Sequence, residues 1–271
     1  MKRRDFLATT CATGMTLATM TSEISAAEGS EKQKLLRWQI YSCGTQEKKE
    51  KLLTVFDTAL IPALNRQGIS PVGIFESNAR LNDGDKSYDA KNDLNVFVLT
   101  QFDSADQLTQ SVPKLLADQQ YLKDAAAIFE APMNDPLYDT SESRLMLGFK
   151  HFPAIEKPVH SAERIFQVRL YNSYHIERNA KKIDMFDIGG EIALFLKCEM
   201  TPVFYGETLA GPMMPNLTYM LGFENMEAKI ENWKKFVTGD EWKNLSGDPQ
   251  YKNTANKIIN LILKPSPGSQ I

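Results

Sequence analysis

"PVGIFES" occupies residues 71–77 and "PVFYGET" occupies residues 202–208. Both open on Pro-Val, both close on Glu followed by a hydroxyl residue, and both follow a run with helical spacing. Pro71-Val72 falls on Pro202-Val203 and Glu76 on Glu207, all at a shift of 131. Phe102 falls on Phe223 at a shift of 121, which also brings Tyr121 onto Trp242 and Leu115 onto Phe236. Landmarks that keep phase through strand, turn and helix mark an internal repeat.

The flanking segments give each copy the same order of elements. In the first copy, "LLRWQIYS" (35–42) alternates as a strand. A helical run starts at Thr45 and ends at Gly68, with a kink or break expected near Pro62. "PVGIFES", "NVFVLTQF" (95–102) and "RLMLGF" (144–149) read as strands. The stretch before the last of these is helical, with a break near Pro113 or Asp118. In the second copy, "RIFQVRLY" (164–171), "PVFYGET", "NLTYMLGF" (216–223) and "NKIINLILKP" read as strands, again with two helical runs between them. The predicted fold class is α+β: two tandem ferredoxin-like β-α-β-β-α-β repeats forming a pseudo-twofold dimeric α/β-barrel. The predicted boundaries are a leader at 1–27, a linker at 28–34, repeats at 35–150 and 164–271, and a linker at 151–163.

Strand alternation assigns faces. Leu36, Trp38 and Ile40, with Phe166, Val168 and Leu170, are expected to meet the helices. Arg37, Gln39 and Tyr41, with Gln167, Arg169 and Tyr171, are then expected to face the second sheet inside the barrel. A buried guanidinium needs an acceptor, so Glu76 and Glu207 are the expected partners of Arg37 and Arg169. Together with Tyr205, these residues form the candidate ligand-contacting set. A barrel lumen holding a cavity of about 300 Å³ or more, with Arg37 or Arg169 free of glutamate, would leave both ligand binding and catalysis open. A filled interior with paired arginines would favour a scaffold.

The chain is 271 residues long, 42% hydrophobic and 24% charged, with a net charge of −3. That balance argues against a nucleic-acid partner. No apolar run approaches the roughly 20 residues of a transmembrane helix. "MKRRDFLATTCATGMTLATMTSEISAA" (1–27) has a basic start, a Thr-rich middle and a small-residue end. Arg3-Arg4 followed by Asp5, Phe6 and Leu7 resembles the twin-arginine export signal, so the expected location is periplasmic or extracellular. Cys43 and Cys198 remain after cleavage; a bridge is chemically permissible outside the cytoplasm, but two separate thiols fit a lone pair better.

No GxSxG, HExxH, phosphate loop or GxGxxG with an acidic partner occurs in the chain. No metal site and no cofactor is predicted. His151 and His160 fall in the linker, and His175 at a helix start. Gly189-Gly190 reads as a kink or a close approach. Met213-Met214 reads as apolar cover over a barrel end, and Trp233, Phe236 and Trp242 as a helical stripe packed on the sheet.

The segment "GGEIALFLKCEMTPVFYGETLAGPMMPNLTYMLGFENMEAKIENWKKFVTGDEWKNL" (189–245) resembles the NIPSNAP domain. The matching features are a Tyr ending the first strand, a Gly-bearing second strand ending in Glu, the "PNLTYML" strand, and a helix with Trp233, Phe236, Glu241 and Trp242. The first half resembles it more weakly, with Tyr121 in place of the Trp. The leader, the tandem arrangement and the terminal "ILKPSPGSQI" resemble exported bacterial members of that family. The resemblance implies the dimeric α/β-barrel fold, which small monooxygenases, haem-handling enzymes and non-catalytic binders share, so fold alone does not give function. It carries no catalytic motif across.

Two functions fit these residues. The first is an exported barrel protein that binds a small, partly apolar molecule or acts as a scaffold, without catalysis. The second is a cofactor-free oxygenase or isomerase, with Arg169 holding an enolate-like anion and Glu207 or His175 as base. Unpaired sheet edges are expected to permit a homo-oligomer.

Overall fold

The computed structural model describes residues 32–86, 88–157 and 161–271. The expected leader, the first four residues of the 28–34 linker and His160 lie outside these residues. The rest of that linker is tied to the sheet: Lys34 donates its backbone N–H to Pro153 O (2.9 Å), and its ammonium meets Asp103 at 2.7 Å.

Eight strands form: β1 (Leu35–Ser42), β2 (Gly73–Glu76), β3 (Asn95–Phe102), β4 (Thr140–Gly148), β5 (Ile165–Asn172), β6 (Thr201–Ala210), β7 (Asn216–Phe223) and β8 (Lys257–Pro265). They close into a barrel in the order β1-β3-β2-β8-β5-β7-β6-β4. Neighbouring strands run antiparallel. Each half supplies four strands in one order, β4-β1-β3-β2 and β8-β5-β7-β6. This is the ferredoxin-like arrangement written twice. The halves join at two seams, β4–β6 and β2–β8. Closure gives each strand a partner on both sides, so the edges expected to recruit a second copy are used within the chain.

The helices cover the outside of the barrel. α1 (Gln46–Val55) is capped by the Thr45 hydroxyl, which accepts from Lys48 N at 3.2 Å. It runs through a π-helical turn (Phe56–Leu60) into α2 (Ile61–Arg66). The wider turn sits just before Pro62, which lacks an N–H to continue a regular ladder. α3 (Ala105–Ala117) continues through Pro113 and stops at Asp118. The Asp118 carboxylate then caps α4 (Gln119–Asp124) through Gln120 N and Tyr121 N, both at 3.0 Å. α5 (Ala126–Phe129) completes that layer. The second half carries α6 (Ile176–Asp187), α7 (Glu191–Lys197), α8 (Met226–Thr238) and α9 (Asp240–Gly247).

The face assignment is the reverse of the expectation. Leu36, Trp38, Phe166 and Val168 are buried inside the barrel with Phe75, Phe97, Leu99, Met146, Phe204, Met220, Leu261 and Leu263, and Ile40 packs against that cluster. Arg37, Gln39, Tyr41, Gln167, Arg169 and Tyr171 occupy the alternate positions, toward the helices. There Tyr41 meets Phe56 of the first helical layer and Tyr171 meets Phe186 of α6. A closed eight-stranded barrel has an interior just wide enough for side chains, and a polar group there has no route to water. The helix side is also buried, but a polar residue there can meet a helix side chain or a gap in the helical layer.

Phe166 is fully buried and lies edge-on to Phe75, with ring centroids 5.2 Å apart. Phe166→Ala is expected to cost about 3–5 kcal/mol of unfolding free energy, read by urea denaturation. A loss under about 1 kcal/mol would show that the barrel interior is not the principal core.

Candidate functional site

The first copy uses its predicted acid as a lock. Glu76 does not pair with Arg37. It meets Lys49 of α1 at 2.8 Å, and that ammonium also donates to Ser77 O (3.1 Å) and Asp93 O (2.8 Å). Lys49 is 1% exposed, so the pair fastens α1 to the sheet. In the second copy Glu207 accepts a long hydrogen bond from Asn179 Nδ2 of α6, at 3.5 Å. Neither Arg37 nor Arg169 forms an ion pair with a carboxylate among the described residues, and the Nε of each is buried without a partner. Both expected Arg–Glu pairs are therefore corrected. The reason is register: Arg37 stands opposite Thr100 and Glu76 opposite Val96, four residues apart along β3, while Arg169 stands opposite Tyr219 and Glu207 opposite Leu217, so each glutamate meets a helix residue instead.

Arg37 instead lies over the Phe102 ring (4.9 Å), and burial lowers its pKa. Tyr41, beside it, is pushed up to about 12 by burial, against the opposing pull of Arg37. These two and Gln39 border a cavity of about 190 Å³ walled by Phe56, Leu64 and Tyr121. That volume is below the range of ordinary ligand pockets.

The corresponding space in the second half is larger, about 370 Å³, and its wall is charged. Arg169 on β5 lies over Tyr171 (5.1 Å) and over Trp233 of α8 (4.8 Å). Lys182 of α6 and Glu191 of α7 form an ion pair at 3.0 Å, with side chains 7% and 2% exposed. The Lys182 ammonium also sits over the Phe186 and Tyr171 rings, at 4.8 and 5.1 Å. Local backbone geometry explains the pairing. Gly190, at φ 101°, turns the chain from α6 into α7, and Glu191 is the first residue after it. Gly189 allows the close approach: a Cβ there would lie 2.7 Å from Met185 O and 2.8 Å from the Tyr251 hydroxyl. Trp233, Phe236, Trp242 and Tyr251 supply the aromatic lining.

Behind this wall three tyrosines stand in a column. The Tyr171 and Tyr219 hydroxyls are 3.4 Å apart, Tyr219 stacks on Tyr205 (5.5 Å), and the Tyr205 hydroxyl is buried without a partner. Burial pushes all three phenols above their ordinary pKa. Burial also raises Glu191, against the pull of Lys182 and Arg169. Arg169 is opposed by its own burial, but Tyr219, Tyr171 and Glu191 outweigh that and raise its pKa. Gln167 is held away from the cavity. It accepts from Trp233 Nε1 (2.5 Å) and donates to Asn260 (2.5 Å), which donates to Asp85 (2.6 Å).

The structure thus brings Arg169 and Tyr171 onto the cavity wall, keeps Tyr205 in the column behind it, ties Gln167 to Trp233 and Asn260, and leaves Glu207 at the α6 contact. His175 holds the position before α6, half exposed, 3.7 Å from Glu177, and lines none of these cavities. Lys182, Glu191, Tyr219 and Tyr251 join the site without having been anticipated. Tyr219 sits directly opposite Arg169 in the β5–β7 register. The one signal for Lys182 was its place on the stripe Asn179, Lys182, Met185 and Phe186, all buried in α6. Trp242 is only half-buried, so it walls the cavity more than it fills the core. Cys43 and Cys198 are free thiols. No group of three or more His, Cys, Asp or Glu residues able to hold a metal ion occurs among the described residues. No helix among them is long and apolar enough to cross a membrane.

Residues 166–270 match the NIPSNAP family model. The charged cavity lies wholly within that NIPSNAP segment, and the first half lies outside the match. Among solved structures, a "putative monooxygenase" from Fusobacterium nucleatum is 9% identical, with a TM-score of 0.56, covering 87% of this chain and 94% of its own. Another, from Lactobacillus acidophilus, is 8% identical, with a TM-score of 0.56, covering 87% of this chain and 95% of its own. At such identity the likeness shows the dimeric α/β-barrel fold alone, extended around the NIPSNAP segment to most of this chain. An uncharacterized NIPSNAP-like domain protein from Burkholderia xenovorans is 19% identical over 39% of this chain and 87% of its own, with a TM-score of 0.35. Comparison with curated proteins finds no match.

The raised Glu191 pKa gives a pH test. A carboxyl that binds its proton more tightly when folded stabilises the fold below its ordinary value of 4.5 and loses that contribution as pH rises through its raised folded value. Wild-type thermal stability should therefore fall more steeply above pH 4.5 than that of Glu191→Gln. Parallel melting profiles for the two proteins would contradict the assignment.

Proposed function

We propose that this chain is a small-molecule binding protein that takes a partly apolar anion in the cavity of its NIPSNAP segment. One observation carries this reading: a 370 Å³ space whose buried wall holds two cations, Arg169 and Lys182, against the single carboxylate of Glu191. Three such charges leave one positive charge without a counter-charge, and an isolated buried charge is costly. An incoming anion would complete the set. A guanidinium offers a carboxylate two parallel N–H donors, and here it lies between aromatic faces that an apolar body can cover. The lining of Trp233, Phe236 and Trp242 suits a ring or a branched chain.

A second reading, catalysis of the cofactor-free oxygenase or isomerase type, draws on Glu191. Burial raises the pKa of its carboxyl against the pull of Lys182 and Arg169, and it lies within a set of groups able to hold an enolate-like anion. On this reading Glu191 replaces Glu207 and His175 as the acid–base candidate.

Native mass spectrometry of protein recovered from its own host tests the binding reading. A retained small anion is the expected result. In calorimetry with 3-phenylpropionate as probe, Arg169→Met is expected to weaken binding about tenfold or more. Apo protein together with no heat from the probe would overturn the proposal. Recovery of the ligand chemically changed, with dependence on Glu191, would favour the catalytic reading.

Export is part of the same proposal, and Arg3-Arg4 supports it. Replacing both with lysine should leave uncleaved precursor in the cytoplasm on fractionation of a host with a twin-arginine pathway. Normal cleavage and export of that variant would count against it.

A further inference from the structure

A further cavity lies on the other side of the sheet from the NIPSNAP cavity. It measures about 410 Å³ and opens at one end of the barrel interior. Its walls are Trp38, Phe97, Val168, Leu170 and Leu261, residues whose alternation points them inward. The interior is otherwise filled. Fully buried Phe75, Phe204, Met220 and Leu263 occupy it, and the Ile271 side chain packs into the same cluster.

One buried charged side chain stands in this lining. Arg144 on β4 stands directly opposite Trp38 in the β1–β4 register, on the inward face. It is 8% exposed, its Nε is buried without a partner, and it forms no ion pair with a carboxylate of the described residues. Burial lowers its pKa, and the field of Glu142 opposes that. The surroundings are built around its stem. Gly211 has φ 148°, and a Cβ there would lie 3.2 Å from both Arg144 Cα and Cγ, so only glycine lets the β6–β7 loop close on it. The same loop puts Met213 on the cavity wall. Its carbonyl is fixed by Asn172 Nδ2 (2.8 Å) and Asn216 Nδ2 (2.9 Å).

We propose that this barrel-end cavity is a separate binding site for a small monocarboxylate with an apolar body, the carboxylate on Arg144 and the body against Trp38 and Phe97. The charge count decides between anion classes. The other charged side chains at the cavity are Glu142, Asp89 and Lys257, all exposed at the rim. Two acids against one lysine at the entrance disfavour a dianion or a phosphate ester, while the single buried guanidinium suits one carboxylate. The volume falls within the range of small-molecule pockets, and the inward-facing wall of Trp38, Ile40, Phe97, Val168, Leu170 and Leu261 is apolar. The site does not depend on the NIPSNAP cavity: Arg144 and Trp38 face inward, and Arg169 faces the helices.

The distribution of tryptophan provides the test. The chain has three: Trp38 in this cavity, and Trp233 and Trp242 in the other. The Trp233→Phe/Trp242→Phe protein keeps Trp38 as its only indole, and its emission is titrated with octanoate and, separately, with octan-1-ol. The expected result is a saturable change with octanoate, with octan-1-ol at least about tenfold weaker because it lacks the charge. Arg144→Met in the same background should weaken octanoate at least about tenfold. No saturable change, equal affinity for the alcohol, or an unchanged affinity in a folded Arg144→Met protein would each overturn the proposal. Should that variant fail to fold, the acid–alcohol comparison alone decides.

Discussion

Closure of the sheet is the constraint from which the rest of the molecule follows. An eight-stranded barrel encloses one face of every strand completely, so that face has to be filled by side chains that need no water. Leu36, Trp38, Phe97, Phe166 and Met220 meet that demand. The opposite face is covered by separate helices, and separate helices leave gaps between them. Polar residues on the sheet can therefore live on the helix side, where α6, α7 and α8 bring Lys182, Glu191 and Trp233 to meet them. The charged cavity lies where the barrel wall meets an incomplete helical cover. The one buried arginine of the interior, Arg144, sits where the interior opens.

The two halves show how one architecture carries two outcomes. At the offset of 130 that aligns Tyr41 with Tyr171, Lys49 falls on Asn179 and Leu52 on Lys182. In the first half the lysine spends its charge on Glu76 and two carbonyls, fastening α1 to the sheet. In the second half the lysine lies one turn further along the helix, and its partner is another helix residue, Glu191, at the cavity wall. Moving a buried ammonium by one turn changes a helix fastener into part of a cavity lining. The first half closes down on Arg37 and Tyr41, while the second keeps room beside Arg169.

Much of this fold was legible in the sequence, because strand alternation and duplicated landmarks are local signals. The order of elements and the pairing of "PVGIFES" with "PVFYGET" follow from such signals, and of the two expected break points, Pro113 and Asp118, the helix breaks at Asp118. The face assignment does not. A period of two says that Trp38 and Arg37 point opposite ways, but a strand buried on both faces gives no rule for which way is in. The site was half legible for the same reason. Arg169 and Tyr171 lie on one strand and were found together. Lys182 and Glu191 lie on helices, where a charged residue ordinarily marks the solvated face. Their burial depends on the turn at Gly190 and on the approach of Trp242, which no local pattern announces.

The two seams that join the halves are unequal. The β4–β6 seam registers four residue pairs, whereas β2 and β8 register only Phe75 with Pro265 and Glu76 with Lys264. Beyond that point the seam is continued by the final segment. Ser266 N and Gln270 N donate to Ile74 O and Val72 O, and the side chains of Ser269 and Gln270 accept from Ile74 N and Val72 N. The Asp57 carboxylate, in the π-helical turn, holds Gly268 N at 3.0 Å and also meets the Ser266 hydroxyl. The second strand of the first copy is thus completed by a tail without regular structure. A cylinder whose staves are laddered most thinly along one line has a preferred place to part, and in this barrel that line runs beside "PVGIFES".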